Sequence, residues 1–432
     1  MKRNAVLFLI SGALASVAMG AFMTTQGLYV MGLGYGEQLL GLILSGRMAA
    51  GAAGALPAGM ISDRYGRKPV ILVTTVLVAA GWLGQALIPH PTAMFLFSCL
   101  VGLAGTAQWV VGAPLLADNT DARNRHAFFG AQFALTTAGM MVGNLAGGAL
   151  PDLLLACPGA WLNVAARGLP AGPHLPRAAA FRVSLVAFSL LTLSSVIPAL
   201  MIREARPTPG NGRTALGDLA ALAGSNEVRG LVTYSVLIGF GAGLVVPFFN
   251  VFLSEKLGAS PTVVGLILSL SNGATAAAGL LAPALVPRLG RVGTVVFTQL
   301  ASIPFLLMIA LPPWLWLVGT AMFLRNALMN MSSPVAASFS MEIVEPRLRG
   351  TTSSLMRIAD SMARAVSSVC AGWIMARWGY DVPYLLTAAL YLAASLLYYR
   401  QFRHCDAPGP RRSPGRARLT RNGRPRTMGT KP

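Results

Sequence analysis

The stretch GMISDRYGRKPV, residues 59–70, places four charged residues, Asp63, Arg64, Arg67 and Lys68, within six positions. Near-continuous apolar sequence lies on both sides of it, in a chain of 432 residues of which only 11% are charged. Apolar runs of this length are typical of membrane helices, because about 20 residues at 1.5 Å per residue cross a bilayer core of roughly 30 Å. We therefore predict a charged loop between two membrane-spanning helices.

The apolar runs are uninterrupted along most of the chain, and hydrophobic residues make up 54% of it. Inside lipid the backbone must satisfy its own hydrogen bonds, and runs without polar alternation favour helices over a barrel. We predict an all-α polytopic membrane protein with twelve transmembrane helices. The predicted spans are 5–30, 38–60, 69–88, 92–116, 126–150, 179–202, 230–253, 262–285, 293–311, 314–338, 352–375 and 382–400.

A polar segment that begins with REARPTPGNGR divides the spans into two sets of six. The predicted domains are an N-terminal six-helix bundle at 1–202, a cytoplasmic linker at 203–229, a C-terminal six-helix bundle at 230–400 and a basic tail at 401–432. The tail is rich in Pro, Gly and Arg, a composition typical of disorder. We expect it to lie in the cytoplasm.

The two halves repeat each other at an offset of 224 residues. This offset places Arg64, Gly66 and Arg67 on Arg288, Gly290 and Arg291. It also places Asp118 on Glu342. Parallel repeats of six helices are one of the known plans of secondary transporters, which bind substrate between the halves near the midplane. The twelve helices are therefore predicted to form two six-helix pseudo-repeats.

Positive charge is concentrated in the loops on the side of the termini, which predicts that both termini are cytoplasmic. We expect a multi-pass protein of the plasma (inner) membrane. The net charge of +20 also raises the possibility of a nucleic-acid partner. No folded nucleic-acid-binding motif accompanies the arginines, so we expect no nucleic acid and attribute the charge to topology and to attraction by anionic headgroups.

The pattern Gly59-x-x-x-Asp63-Arg64-x-Gly66-Arg67-Lys68, between the second and third spans, resembles the signature loop of the major facilitator superfamily. This resemblance implies a gate that holds the cytoplasmic ends of the halves together while the outside is open. Asp63 would accept hydrogen bonds from the start of helix 11, near Thr351, and Arg67 would pair with Asp118. The expected gating residues are Gly59, Asp63, Arg64, Gly66, Arg67, Asp118, Arg288, Arg291 and Glu342.

Two glycines fit such a gate, since Gly59 would let backbones approach closely and Gly66 would permit a tight turn. The alternative is a basic loop that only sets topology. That alternative explains the cations but neither Asp63 nor the glycines. In the second copy Pro287 replaces the acid, so we expect weaker gating there.

A second stretch, GMMVGNLAGGAL at 139–150, resembles the fifth-helix signature of drug-exporting members of that superfamily. Asn144 stands where the signature has a proline. The alternative is ordinary packing of small residues between helices. Export therefore rests on this resemblance more weakly than the fold does.

Charged and polar residues inside the spans are expected to mark the working site, because burying them in lipid is costly. The expected substrate-binding residues are Arg47, Gln108, Asn250, Arg325 and Asn326. Asp360 is the only acid that we place inside a span, and we expect it to couple transport to protons. The alternative is that Asp360 merely neutralises an arginine and that Arg47 makes a packing contact.

No phosphate loop, nucleophile elbow or zinc motif is found, so we expect no enzyme activity, no cofactor and no metal. The expected function is secondary active transport of a small organic molecule by alternating access, as proton-coupled efflux. Excess arginine favours a neutral or anionic amphiphile as substrate, carried by a monomer in the lipid bilayer. The alternatives are a metabolite uptake symporter and a non-transporting membrane receptor or scaffold.

Overall fold

The computed structural model describes residues 2–121, 124–170, 174–203, 225–311, 314–345 and 348–406. Its first half contains six long helices, and a short helix, Ala160–Ala165, lies in the loop before the sixth. The six are α1 Lys2–Gly32, α2 Glu37–Tyr65, α3 Arg67–Leu87, α4 Pro91–Asp118, α5 Arg125–Ala156 and α6 Leu175–Leu200.

The second half contains six more helices, three of which are irregular. They are α7 Asn226–Lys256, α8 261–289, α9 291–310, α10 Leu315–Met331 with Ser333–Ile343, α11 Arg349–Trp378 and α12 Asp381–Phe402. Helix α7 contains a 3₁₀ turn at Val246–Phe248, where Pro247 lacks an N–H, and ends in a π turn at Phe252–Lys256. Helices α8 and α9 meet at Gly290, whose φ of 73° and ψ of 178° are not helical.

Ten helices of the described part of the chain are long and apolar enough to cross a membrane. The other two of the twelve are α10 and α11. Helix α10 is interrupted at Ser332, just before Pro334. Helix α11 carries Arg357, Asp360 and Arg364, which lower its apolarity. The least apolar helices are thus the ones that carry most of the charges predicted inside the spans.

Successive helices run in opposite directions, so their ends form two faces. We call the face with Lys2 and Tyr65 the termini side, and the face with Gly32 and Glu37 the far side. The last helix returns to the termini side, where the Gln401 side chain donates to the backbone carbonyl of Asn226 at 2.7 Å.

The halves meet along two helix pairs, α2 with α11 and α5 with α8. A Cβ atom at Gly372 of α11 would lie 2.4 Å from the carbonyl oxygen of Glu37, and a Cβ atom at Gly148 of α5 would lie 2.2 Å from that of Pro261. Only glycine permits such close approach of two backbones. Both contacts lie near the far side, which is therefore where the halves are packed most tightly.

The predicted all-α fold with twelve membrane helices is confirmed, with differences at the ends of elements. Helix α5 continues to Ala156, although the predicted span ended at residue 150, because Pro151 removes one helical hydrogen bond without ending the helix. Helix α12 reaches Phe402 and is followed by a 3₁₀ turn, so ordered structure extends past residue 400. Most of the predicted linker, 204–224, and the tail from 407 lie outside the described residues.

Candidate functional site

The charged loop between α2 and α3 turns at a single glycine. Gly66 has φ 95° and ψ 162°, a region that is essentially restricted to glycine. Its counterpart in the repeat, Gly290, adopts nearly the same conformation, with φ 73° and ψ 178°. The offset found in the sequence is therefore also a repeat of backbone geometry.

The same loops form one ion pair in each half. Arg67 pairs with Asp118 of α4, and Arg291 pairs with Glu342 of α10. Both ion pairs thus join helices of the same half. They are partly exposed, so each contributes only about 0–1 kcal/mol to stability.

The remaining residues of the predicted gate lie open on the termini side. Asp63, Arg64 and Arg288 are exposed, and Asp63 makes no hydrogen bond or ion pair with the residues described here. A Cβ atom at Gly59 would meet only Val110, at 3.9 Å. The close approach expected at Gly59, and the expected contact of Asp63 with α11, are therefore absent from this conformation, because the halves are apart on this side.

On the far side, two carboxylates join the halves. Asp152, near the end of α5, accepts from the backbone N–H and the hydroxyl of Thr262 at 2.9 and 2.6 Å. Thr262 lies in the first turn of α8, where the helix dipole favours a negative charge. The second contact is a hydrogen bond of 2.6 Å from the Tyr380 hydroxyl to Glu37. We call these two contacts the far-side latches.

The Tyr380 phenol is the donor in its latch. Burial, followed by the hydrogen bond to Glu37, raises the pKa of Tyr380 well above the usual range for tyrosine. The phenol therefore keeps its proton at any physiological pH. This latch consequently depends on the charge state of Glu37 and not on that of Tyr380.

Asn250 also belongs to the contact between the halves. Its amide nitrogen donates to the backbone carbonyls of Met23 and Thr24 in α1 at 3.2 and 2.9 Å. Its oxygen accepts from the backbone N–H of Val251, and the residue is buried. Asn250 was predicted to bind substrate, but here its hydrogen bonds tie α7 to α1.

A cavity of about 680 Å³ is lined by residues of α7 to α12. It runs from the termini-side ends of these helices, at Met341 and Arg357, to mid-depth at Val246, Arg325 and Tyr391. The charged lining residues are Arg325, Arg357, Asp360 and Arg364. Three cations and one acid leave this wall net positive.

Arg325 lies at the deep end of this cavity and is 2% exposed. Its guanidinium donates to Asn326 Oδ1 at 2.8 Å and to the Tyr391 hydroxyl at 2.9 Å. The rings of Phe249 and Tyr391 lie 5.6 and 5.7 Å from its central carbon. Two predicted site residues, Arg325 and Asn326, are thus brought together, but Tyr391 was missed.

Asp360 forms an ion pair with Arg364 one turn further along α11, at 2.8 Å. Both side chains are about 30% exposed, with relative accessibilities of 31% and 29%. Arg357, on the same helix, is exposed. Of the acids in the described lining, Asp360 is the one that can take up or release a proton toward the cavity.

The first half has its own polar cluster. Arg47 donates to Gln26 at 3.2 Å, and Gln26 donates to Gln85 at 2.6 Å. Gln108 donates to Thr75 at 2.8 Å. Arg47 and Gln108 lie outside the cavity lining described above, so the structure does not bring them together with Arg325 in this conformation.

Tyrosine and glutamine residues that the sequence reading missed also line the cavity. Gln299 donates to the Tyr234 hydroxyl and accepts from Ser395 at 3.1 Å. The missed signal was spacing, since Tyr384, Tyr391 and Tyr398 recur every seven residues along α12 and so share one face. All three are buried.

Comparison with known proteins agrees with this arrangement. A sequence model of the Major Facilitator Superfamily matches residues 6–224 and 231–428. The solved structure of the nucleoside transporter NupG superposes with a TM-score of 0.73, covering 93% of this chain and 99% of that one, at 15% identity. At that identity the likeness shows the fold alone.

Curated relatives are similar over shorter stretches. The class C tetracycline resistance protein of Escherichia coli is 25% identical over 212 residues, which are 49% of this chain and 48% of that protein. The multidrug resistance protein MdtH of Yersinia enterocolitica is 29% identical over 160 residues, 37% of this chain and 39% of that protein. The chain thus matches less than half the length of these curated relatives.

A twelve-helix bundle built from two six-helix repeats, with a polar cavity beside their interface, defines a membrane transporter. The chain belongs to the major facilitator superfamily.

Proposed function

We propose that this protein exports a small organic molecule, a neutral or anionic amphiphile, in exchange for protons. The observation that carries the proposal is the cavity itself. It is open on the termini side, is separated from the far side by the latches, and ends at the buried Arg325. A transporter that works by alternating access requires a site that is exposed to one side at a time.

The orientation follows from charge. The termini side carries Lys2, Arg67, Lys68, Arg288 and Arg291, and the positive-inside rule places such a face in the cytoplasm. The cavity then opens to the cytoplasm, where an exporter takes up its substrate. The relatives from Escherichia coli and Yersinia support a plasma (inner) membrane protein with both termini inside.

Asp360 is the proposed coupling residue. In this conformation its carboxylate is paired with Arg364 and partly exposed in the cavity. Desolvation in another conformation would favour the protonated form, whereas the Arg364 guanidinium favours the charged form. Movement between these two environments would let one proton enter and leave in each cycle.

The direction of transport is supported by the relatives named for tetracycline and multidrug resistance. In the fifth-helix signature, Asn144 accepts a hydrogen bond from Thr24 at 3.2 Å. The residue that departs from the exporter pattern is therefore accommodated inside the first half. The small residues of the pattern still face neighbouring helices, as Gly143 does against α1.

The test is transport by the purified full-length protein in proteoliposomes with an imposed pH gradient and a panel of neutral, anionic and cationic compounds. We expect accumulation of neutral or anionic compounds in the direction opposite to proton flow. Asp360→Asn should abolish accumulation and preserve downhill exchange. Glu345→Gln, which removes an exposed carboxylate on the termini side, is the matched control and should behave as the wild type.

Accumulation in the direction of proton flow would show an uptake symporter. Accumulation that persists in the Asp360→Asn variant would show that protons are carried by another group. Either result would contradict the proposal, as would a protein that transports none of the compounds.

A further inference from the structure

The Arg325 guanidinium is buried without a carboxylate beside it. Two of its N–H groups are used, by Asn326 and by Tyr391. Its Nε atom is buried and has no hydrogen-bond partner in the described part of the chain. A guanidinium carries five N–H donors, so three remain unassigned.

This situation distinguishes Arg325 from the other arginines of the cavity. Arg364 is neutralised by Asp360 at 2.8 Å. Arg357 is exposed on the termini side, where water can solvate its charge. Only for Arg325, among the lining arginines described, are both water and a carboxylate absent. An unpaired buried charge costs free energy, and a ligand with the opposite charge would recover it.

Tyr391 and Phe249 fix the orientation of this guanidinium. The Tyr391 hydroxyl accepts one of its hydrogen bonds, and the two rings lie within 6 Å of its central carbon, as in cation–π contacts. A side chain held in this way loses little further entropy when it binds a ligand. The cage therefore prepares one planar edge of the guanidinium for recognition.

We infer that the transported molecule carries a carboxylate that docks on Arg325, and that Tyr391 is the positioning residue that holds the guanidinium for it. A carboxylate matches a guanidinium edge with two parallel hydrogen bonds, which a tetrahedral anion or a lysine partner does not reproduce. The apolar part of the molecule would lie along Ile238, Ala242 and Met329 of the same cavity. The inference rests on the proposed transport function and names the substrate class of its site.

The experiment measures binding by equilibrium dialysis with the purified full-length protein. The probes are 1-naphthoate and decanoate, each compared with its own amide, and 1-naphthalenesulfonate. For the wild type we expect each carboxylate to bind at least tenfold more tightly than its amide, and naphthoate to bind more tightly than the sulfonate.

Three variants separate the roles. Arg325→Gln should reduce the preference for carboxylate over amide to less than threefold. Arg325→Lys keeps the charge and should keep a preference for anions, but it should lose the preference for carboxylate over sulfonate. Tyr391→Phe keeps the ring and should weaken that same discrimination severalfold, while its thermal unfolding midpoint without ligand stays close to that of the wild type.

Arg377→Gln is the matched control, because Arg377 also lies over an aromatic ring, that of Trp373, but outside the cavity. It should bind all probes as the wild type does. Equal affinity of the wild type for acids and amides, absence of carboxylate binding, or an unchanged preference in both Arg325 variants would overturn the inference. Arg325-dependent binding without transport driven by a pH gradient would instead leave the inference standing and contradict the proposed function.

Discussion

The two faces of the molecule use their acidic residues in opposite ways. On the far side, Asp152 and Glu37 accept hydrogen bonds from the other half of the chain. On the termini side, Asp118 and Glu342 pair within their own halves, and Asp63 is exposed. The difference shows which contacts belong to the repeated scaffold and which belong to one conformation.

The comparison also suggests how the second conformation closes. Asp152 lies against the first turn of α8, and the sequence predicts that Asp63 would lie against the first turn of α11. Both contacts would place a carboxylate at the positive end of a helix dipole from the other half. We therefore expect the Asp63 contact to form when the far-side latches separate.

The largest expected effect comes from a wedge on the far side. Gly372→Leu would place side-chain atoms where the Glu37 carbonyl lies, because even a Cβ atom there would be 2.4 Å away. Overpacking of this kind costs about 2 kcal/mol, so the far-side-closed population should fall roughly 30-fold relative to the open one.

A suitable reporter is Thr24→Cys, at a fully buried position in the contact between the halves. It would be labelled by a membrane-impermeant thiol reagent in a protein whose native cysteines, Cys99, Cys157, Cys370 and Cys405, are replaced. Gly105→Leu is the control, since a Cβ atom there meets nothing within 4 Å. Equal labelling of the two glycine variants would break the comparison.

Removal of a latch should have a smaller effect. Asp152→Ala deletes a charged acceptor of two hydrogen bonds and should shift the equilibrium by about 1.5 kcal/mol, or roughly tenfold, toward the far-side-open form. Asp152→Asn should lie between Ala and the wild type because its carbonyl can still accept. The same thiol reporter gives the populations. Protection equal to that of the wild type in Asp152→Ala would show that the latch contributes nothing to closure.

Tyr380→Phe should shift the equilibrium less, by about 1 kcal/mol or roughly fivefold, because only one hydrogen bond is lost while the ring remains. Tyr399→Phe, which removes the hydroxyl of an exposed tyrosine, is its control. If the two variants label the Thr24→Cys reporter at the same rate, the Glu37 contact is not a latch.

The smallest effect is expected for Gly59→Ala. The added methyl group meets only Val110, at 3.9 Å, so stability in this conformation should change by less than about 0.5 kcal/mol. Transport should nevertheless fall if closure of the termini side brings backbones together at Gly59. Gly105→Ala should alter neither quantity. Full transport by Gly59→Ala would remove this glycine from the gate.

The sequence predicted the parts of the structure that are repeated or that strongly perturb an apolar run. Long runs predicted the twelve helices, and the offset of 224 residues predicted the turn at Gly290 and the pairing of Arg291 with Glu342 as counterparts of the first half. Buried charge pointed to Arg325 and Asp360, because such residues are costly in a membrane.

The far-side latches could not be predicted in this way. Asp152 and Thr262 are 110 residues apart, and Glu37 and Tyr380 are 343 residues apart, with no motif that relates them. Their contact depends on how the two halves pack, which hydropathy does not encode. A single tyrosine such as Tyr391 likewise gives little signal in an apolar helix. An asparagine such as Asn250 can bind a ligand or join two helices, and only the fold shows which.

The most direct test of the account is to measure both faces in one protein by pulsed electron spin resonance. Spin labels at Gly36 and Ala376 report the distance between the halves on the far side, and labels at Tyr65 and Gly350 report it on the termini side. Breaking both latches with Asp152→Ala and Tyr380→Phe should lengthen the first distance and shorten the second, and adding Asp63→Asn should reverse part of the shortening. An increase in the first distance with no decrease in the second would contradict the exchange of contacts between the two faces.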